Sequence, residues 1–283
     1  MDFFCIDPTN GNDNTGAPNA VQAIAETTPY KTPEAVEAAV PVGGDSILWK
    51  AKILSRGLYT LTISGSANNP ITFGSYGSDF GGIDANGDAD AILTNSQEWL
   101  TFDGLEKTGG AGTGSDCMYI TAATKATEVN IVIKNGITHD PEADNNAGSG
   151  TGLDIRASKV EVHDEEIYNC PDDGMYIEGN DVEVHHMYVH DIDQHAGEKG
   201  GDCCKFSSTE PCTNGHAHHS IFDSSSNNRK QCIIMAGTGT GIIAEHNWCK
   251  GGEICINQKG TNASGNISRR NLSSPSSSGM RNG

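Results

Sequence analysis

A short pattern that returns four more times after its first appearance constrains this chain more than any other feature. Small residues followed by apolar runs align as Gly152-Leu-Asp-Ile155, Gly174-Met-Tyr-Ile177, Cys203-Cys-Lys-Phe206, Cys232-Ile-Ile-Met235 and Cys255-Ile-Asn-Gln258. Their start-to-start spacings are 22, 29, 29 and 23 residues. A second series lies between them: Val160-Glu-Val-His163, Val182-Glu-Val-His185, His216-Ala-His-His219 and Ile242-Ile-Ala-Glu-His246. Each period thus holds two short alternating strands separated by turn residues. It has no room for a helix and a crossover, and the leucine and asparagine spacing of leucine-rich repeats is absent. The repeat therefore predicts an all-β chain in which each period is one coil of a parallel β-helix, a solenoid.

Upstream, Asp45–Lys50, Leu58–Ile63, Pro70–Tyr76, Ala91–Thr94, Trp99–Asp103, Met118–Thr121 and Val129–Ile133 read as further strands split by Gly, Asn and Pro turns. One helix is predicted over 33–40. Thr32 is its N-cap, Pro33 opens it, and Ala35, Val36, Ala39 and Val40 line one face. It would cap the first coil, with 1–44 as the cap region of a single domain over 1–262. Residues 263–283 are rich in Ser and Asn and read as a polar tail or a truncated further coil. Either would leave that end of the solenoid open to self-association. Asn262, Asn266 and Asn271 open N-glycosylation triplets, which so Asn- and Ser-rich a stretch produces readily by chance.

The formal net charge of −19 argues against a nucleic-acid partner, which needs a basic footprint. No run of 18 apolar residues is present, so no membrane span is expected. Met1-Asp-Phe-Phe-Cys-Ile6 lacks the basic and apolar segments of a leader; the expected location is extracellular, or a cell or virion surface. Nine cysteines, none in a Cys-x-x-Cys pair, give no zinc signature. Cys203, Cys232 and Cys255 share one coil position and are expected to stack as packed thiols.

Asp7-Pro-Thr-Asn-Gly-Asn-Asp13, the helix at 33–40, and Leu61–Gly65 through Pro70–Tyr76 resemble the opening of right-handed parallel β-helix proteins of the pectate-lyase-like superfamily. Asp172–Gly179 and Val182–His186 resemble its central coils. More narrowly, Asp172-Asp-Gly174 followed one coil later by Asp202-Cys-Cys-Lys-Phe206 is similar to the family-nine pectate lyases. That resemblance implies calcium held by Asp172, Asp173 and Asp202, with Lys205 as the catalytic base. Thr151 and Tyr176 stand where the family has further aspartates, and Cys203 where it has a glycine.

Alternation along the aligned strands puts Leu153, Met175, Cys204, Ile233 and Ile256 inside. The outward row is then Asp154, Tyr176, Lys205, Ile234, Asn257, and beside it Arg156, Glu178, Ser207, Ala236, Lys259. Stacking turns these into one surface on which a polymer can lie, with Asp154, Arg156, Tyr176, Glu178 and Lys259 as candidate substrate-binding residues. A lysine base needs a lowered pKa, and calcium on a uronate carboxylate would acidify the C5 proton. Against this, Lys205 could simply pair with Glu178 or Asp202, and the three aspartates could be turn residues capping strand ends. His163, His185 and His218 share one position and His186, His219 and His246 the next, which reads as structural stacking. His190, Asp191, Asp193 and His195 fall beside Lys205 and could touch substrate. The expected function is a calcium-assisted lyase of an acidic polysaccharide; the alternative is a non-catalytic glycan-binding or structural surface protein.

Overall fold

The computed structural model describes all residues except 40, 51–52, 56, 78–79, 87–89, 110–115, 142–149, 193–200, 207–211, 226–230, 253, 260–263 and 275–283. It is a right-handed parallel β-helix built from three parallel sheets of ten, nine and eight strands. Each full coil contributes one strand to each sheet in turn. The coil of Glu183–His185 (first sheet) continues through Tyr188–His190 (second) to Cys204–Phe206 (third). The two predicted strands per period are those of the first and third sheets, and the second sheet is an addition to them.

The predicted registers of the third sheet hold. Leu153 pairs with Met175, Met175 with Cys204, Cys204 with Ile233, and Ile233 with Ile256. The first sheet departs by one residue, since Glu183 rather than Val182 is opposite His216. Gly215 therefore takes the inward place that valine holds in earlier coils. A Cβ there would lie 2.6 Å from the Phe206 ring, which fills the space instead.

Sharp corners follow the first-sheet strands. Asn135, Asp164, His186, His219 and His246 all have φ between 50° and 56° at that position. Asn, Asp and His tolerate this left-handed backbone better than other non-glycine residues. The second histidine series is thus placed by the corner, and its rings stack: His186 on His219 at 5.7 Å and His219 on His246 at 5.0 Å. His163, His185 and His218 stack in the neighbouring row at 4.9 Å, nearly parallel.

At the N-terminal end, Phe3–Ile6 adds a strand beside Ser46–Lys50. The helix spans Pro33–Ala38, with the Thr32 hydroxyl accepting from the Ala35 amide and Val36 buried. It is shorter than the sequence suggests, and Val40 lies outside the described residues. A second, four-residue helix, Gln22–Ala25, was not anticipated. At the far end, Ile267–Arg269 and Leu272–Ser274 pair with the preceding coil. The rest of the expected tail, residues 275–283, lies outside the described residues. No helix among the described residues is long and apolar enough to cross a membrane.

Among the described residues the interior is mainly apolar, and Lys107 with Glu165 sets a charged pair inside it. Lys107, on a second-sheet strand, points inward and meets Glu165 two coils on, with Nζ 3.1 Å from both carboxylate oxygens. Both side chains are fully buried. Gly136, in the coil between, makes room: a Cβ there would sit 2.5 Å from Glu165 Oε1. All nine cysteines are free thiols. Cys203 and Cys232 pack inside around the Ser224 hydroxyl.

Candidate functional site

Register assembles the outward row of the third sheet one residue per coil: Tyr119, Asp154, Tyr176, Lys205, Ile234, Asn257. Lys205 is half-buried. Its Nζ lies 3.0 Å from Asp173 Oδ2 and 5.1 Å from the centroid of the Tyr176 ring. The sequence offered Glu178 or Asp202 as its partner, and the structure gives Asp173. Burial alone would lower the ammonium's pKa. Asp173, with Asp172 and Asp202 behind it, outweighs burial and holds Lys205 above the ordinary lysine range.

Asp173 and Asp202 occupy equivalent places on successive coils, just before the strands of the third sheet. Each carboxylate accepts the amide of the next coil: Asp202 N–H to Asp173 Oδ1 at 2.8 Å and Gln231 N–H to Asp202 Oδ1 at 3.2 Å. Asp90 and Asp116 do the same earlier, accepting from the amides of Asp116 and Thr151. These aspartates therefore satisfy strand-entry donors, as turn residues do. Asp172 is half-buried beside them. Three carboxylates on adjacent coils are hard oxygen donors of the kind calcium takes. Asp173 is engaged by Lys205, whose Nζ lies 3.0 Å from its Oδ2. A cation at this place would take over the Lys205 contact.

Two coils upstream of Lys205 a second charged group forms. Arg156 grips Asp154 with two nitrogens, Nε to Oδ1 at 3.0 Å and Nη2 to Oδ2 at 2.7 Å. Its guanidinium lies over Tyr119 at 5.3 Å and Tyr176 at 5.7 Å. Glu178, though in the outward row, is only 1% exposed. It accepts the Tyr176 hydroxyl at 2.7 Å and is paired with the Lys125 ammonium. Burial pushes the Asp154 carboxyl up to about 6; Arg156 opposes this and Glu178 and Asp90 add to it. Asp116 is raised well above the carboxylate range by burial, then by Asp154 and Asp90.

The structure thus brings together Asp154, Arg156, Tyr176, Glu178, Lys205 and Asp173. Lys259 is exposed and pairs in register with Ala236, so it lies away from this group, two coils beyond Lys205. His190 is on a second-sheet strand, stacked on Tyr168 and bonded to Glu166 and Asp191. Asp193, His195 and Ser207 lie outside the described residues. Sequence reasoning missed Asp116, Tyr119 and Lys125. A signal for the first two was present: Asp116-Cys-Met-Tyr-Ile120 repeats the spacing of Asp173-Gly-Met-Tyr-Ile177.

A groove of about 640 Å³ runs elsewhere, along the leading edge of the first sheet, lined by Trp99, Asn130, Lys159, Asp181, Glu183 and His216 among others.

No protein-family model matches the chain, and no relative is found among curated proteins. Solved structures do match. The GH136 lacto-N-biosidase of Eubacterium ramulus superposes with a TM-score of 0.65 at 14% identity, covering 96% of this chain and 60% of the biosidase. Pectate lyase Pel9A gives 0.57 at 14% identity over 92% of this chain and 78% of its own. A rhamnogalacturonan lyase gives 0.53 at 12% identity over 99% and 89%. The chain therefore spans under two thirds of the biosidase's length. At these identities the likeness is one of fold alone: the three stacked parallel sheets form a β-helix like those of these structures.

Proposed function

We propose that the outer face of the third sheet binds a polysaccharide and cleaves an acidic, uronate-containing one by β-elimination, with Lys205 taking the C5 proton. The observation that carries this reading is the place of Lys205: mid-row, half-buried, its amine between the Tyr176 ring and Asp173. The row is continuous across coils, as a polymer requires, and Arg156 and Lys205 give cationic points on a chain of net charge −19. Tyr119 and Tyr176 offer ring faces to sugars, Asp154 and Glu178 hold Arg156 and Tyr176 in place, and Lys259 extends the surface. The similar solved structures include a lacto-N-biosidase, a pectate lyase and a rhamnogalacturonan lyase. A polysaccharide substrate also fits an extracellular or surface location.

In the elimination, the C5 proton passes to Lys205 Nζ, the C5 electron pair forms a C4–C5 double bond, and the C4–O bond breaks. The leaving oxygen takes a proton from water. The amine must be neutral at that moment, and Asp173 opposes this. Asp172, Asp173 and Asp202 would hold calcium, in exchange for the Lys205 contact. When bound, the ion supplies positive charge that draws on the uronate carboxylate and acidifies the C5 proton. Released from Asp173, Lys205 keeps the burial that lowers its pKa.

The raised carboxyls of Asp116 and Asp154 favour a second reading, glycoside hydrolysis, in which one of them donates a proton to the glycosidic oxygen. Mass spectrometry of products from uronate and neutral polysaccharides separates these readings. Unsaturated ends without added water support elimination, and products that gain water support hydrolysis. Retention on a polymer without cleavage would leave a non-catalytic glycan-binding surface, contradicting both.

A further inference from the structure

We propose that Glu183, His216 and His218, on the outer face of the first sheet, form a binding site for a divalent transition-metal ion of the zinc type. One ligand atom from each lies within 4.8 Å of the others, and they are the one such group of three among the described residues. His218 Nε2 is 2.9 Å and His216 Nδ1 3.9 Å from the same oxygen, Glu183 Oε1. Zinc–ligand bonds of about 2.0–2.1 Å set tetrahedral ligand separations of about 3.4 Å, between those two distances. Closing around an ion requires only a small drawing-in of side chains.

The second nitrogen of each ring is also held. His216 Nε2 is 3.2 Å from Glu245 Oε1, and Glu245 is in turn fixed by Arg269 at 2.6 Å. His218 Nδ1 is 2.8 Å from His219 Nδ1. Metal-bound imidazoles are oriented in this way, often by a carboxylate on the far nitrogen.

A single Glu–His contact is ordinary in this solenoid. Glu161 with His185, Glu106 with His139 and Glu166 with His190 repeat it at 2.8–3.1 Å. What distinguishes Glu183 from these three carboxylates is the second imidazole. The register position of His216 is held by Val132, Glu161 and Glu183 in earlier coils and by Ile243 in the next. Glu245 also meets two imidazoles, His216 at 3.2 Å and His246 at 4.0 Å, but Arg269 engages it at 2.6 Å. Glu183 and His216 also line the groove of the first sheet, which gives an ion a path from solvent. Two imidazoles and one carboxylate suit zinc, cobalt or nickel rather than calcium. The ion would tie neighbouring coils together on a different sheet from the proposed polysaccharide face.

The test uses the full chain, stripped with a chelator and titrated with zinc, cobalt and calcium chlorides by calorimetry and thermal unfolding. The expected result is one zinc or cobalt per chain with a raised Tm, and no such effect of calcium at this site. His216→Ala and the milder Glu183→Gln should each weaken zinc at least tenfold, while His163→Ala, in the stacked row outside the site, should not. The cobalt spectrum should lack thiolate charge-transfer absorption, which excludes the buried cysteines as ligands. Absence of stoichiometric zinc binding, undiminished affinity in both Glu183→Gln and His216→Ala, or a thiolate band would overturn the proposal.

Discussion

Asp154 and Lys205 share one row, two coils apart, and their environments push both toward the protonated form. Burial dominates for Asp154, where Arg156 compensates only in part; carboxylates dominate for Lys205. Asp154 should titrate at about 6, which carbon-13 NMR of its carboxyl can read directly; a midpoint in the ordinary range near 4 would contradict the burial argument. The sign of the stability effect follows. Its folded pKa lies above its unfolded value, so its contribution is fully present below the unfolded pKa and is lost as pH rises through about 6. Asp154→Asn should flatten that part of the stability–pH curve, measured by denaturant unfolding from about pH 4 to 7. For Lys205, replacing Asp173 with Asn should lower the lysine pKa, readable from nitrogen-15 NMR of the labelled amine. No change there would remove Asp173 from the account.

Within single coils, the most consequential element is the short second-sheet strand that carries Lys107. Its ion pair with Glu165 is wholly interior, where an unmatched charge is costly. Glu165→Ala should destabilise the chain by about 3–5 kcal/mol, whereas Lys107→Met with Glu165→Leu should be close to neutral or stabilising. Chemical denaturation of the two variants checks this, and a double variant as unstable as the single one would contradict it. Nothing in the sequence pointed to this pair, because a lysine between Glu106 and Thr108 reads as surface. The second sheet as a whole was hidden for a related reason. Strands such as Glu166–Tyr168 and Tyr188–His190 bury a single side chain each, Ile167 and Val189, too little alternation to register. The first and third sheets were legible because runs such as Val160-Glu-Val-His163 and Gly174-Met-Tyr-Ile177 alternate for a full strand and recur. The one-residue offset at Gly215 was legible from the histidines, since aligning His185 with His218 sets Gly215 opposite Val182, but Phe206 filling the space across the core was not.

Across the molecule, function depends on stacking, which joins residues far apart in sequence into one face. The row from Asp154 to Asn257 could be read from alternation. The pairings could not, since Lys205 with Asp173 and Glu178 with Lys125 are set by how side chains lean between coils. The same stacking places the histidine–carboxylate group on the first sheet, apart from the third-sheet row. The account therefore predicts that metal binding at Glu183 and chemistry at Lys205 respond to different mutations. Its central claim, elimination with Lys205 as base, is tested most directly by ultraviolet absorbance over time with polygalacturonate, alginate and other uronate polymers, with and without calcium. The account predicts a rise from unsaturated product that falls by about 10²–10⁴-fold in Lys205→Ala, the usual contribution of a positioned base. No rise on any uronate polymer from folded protein with calcium, or an equal rise in Lys205→Ala, would contradict it.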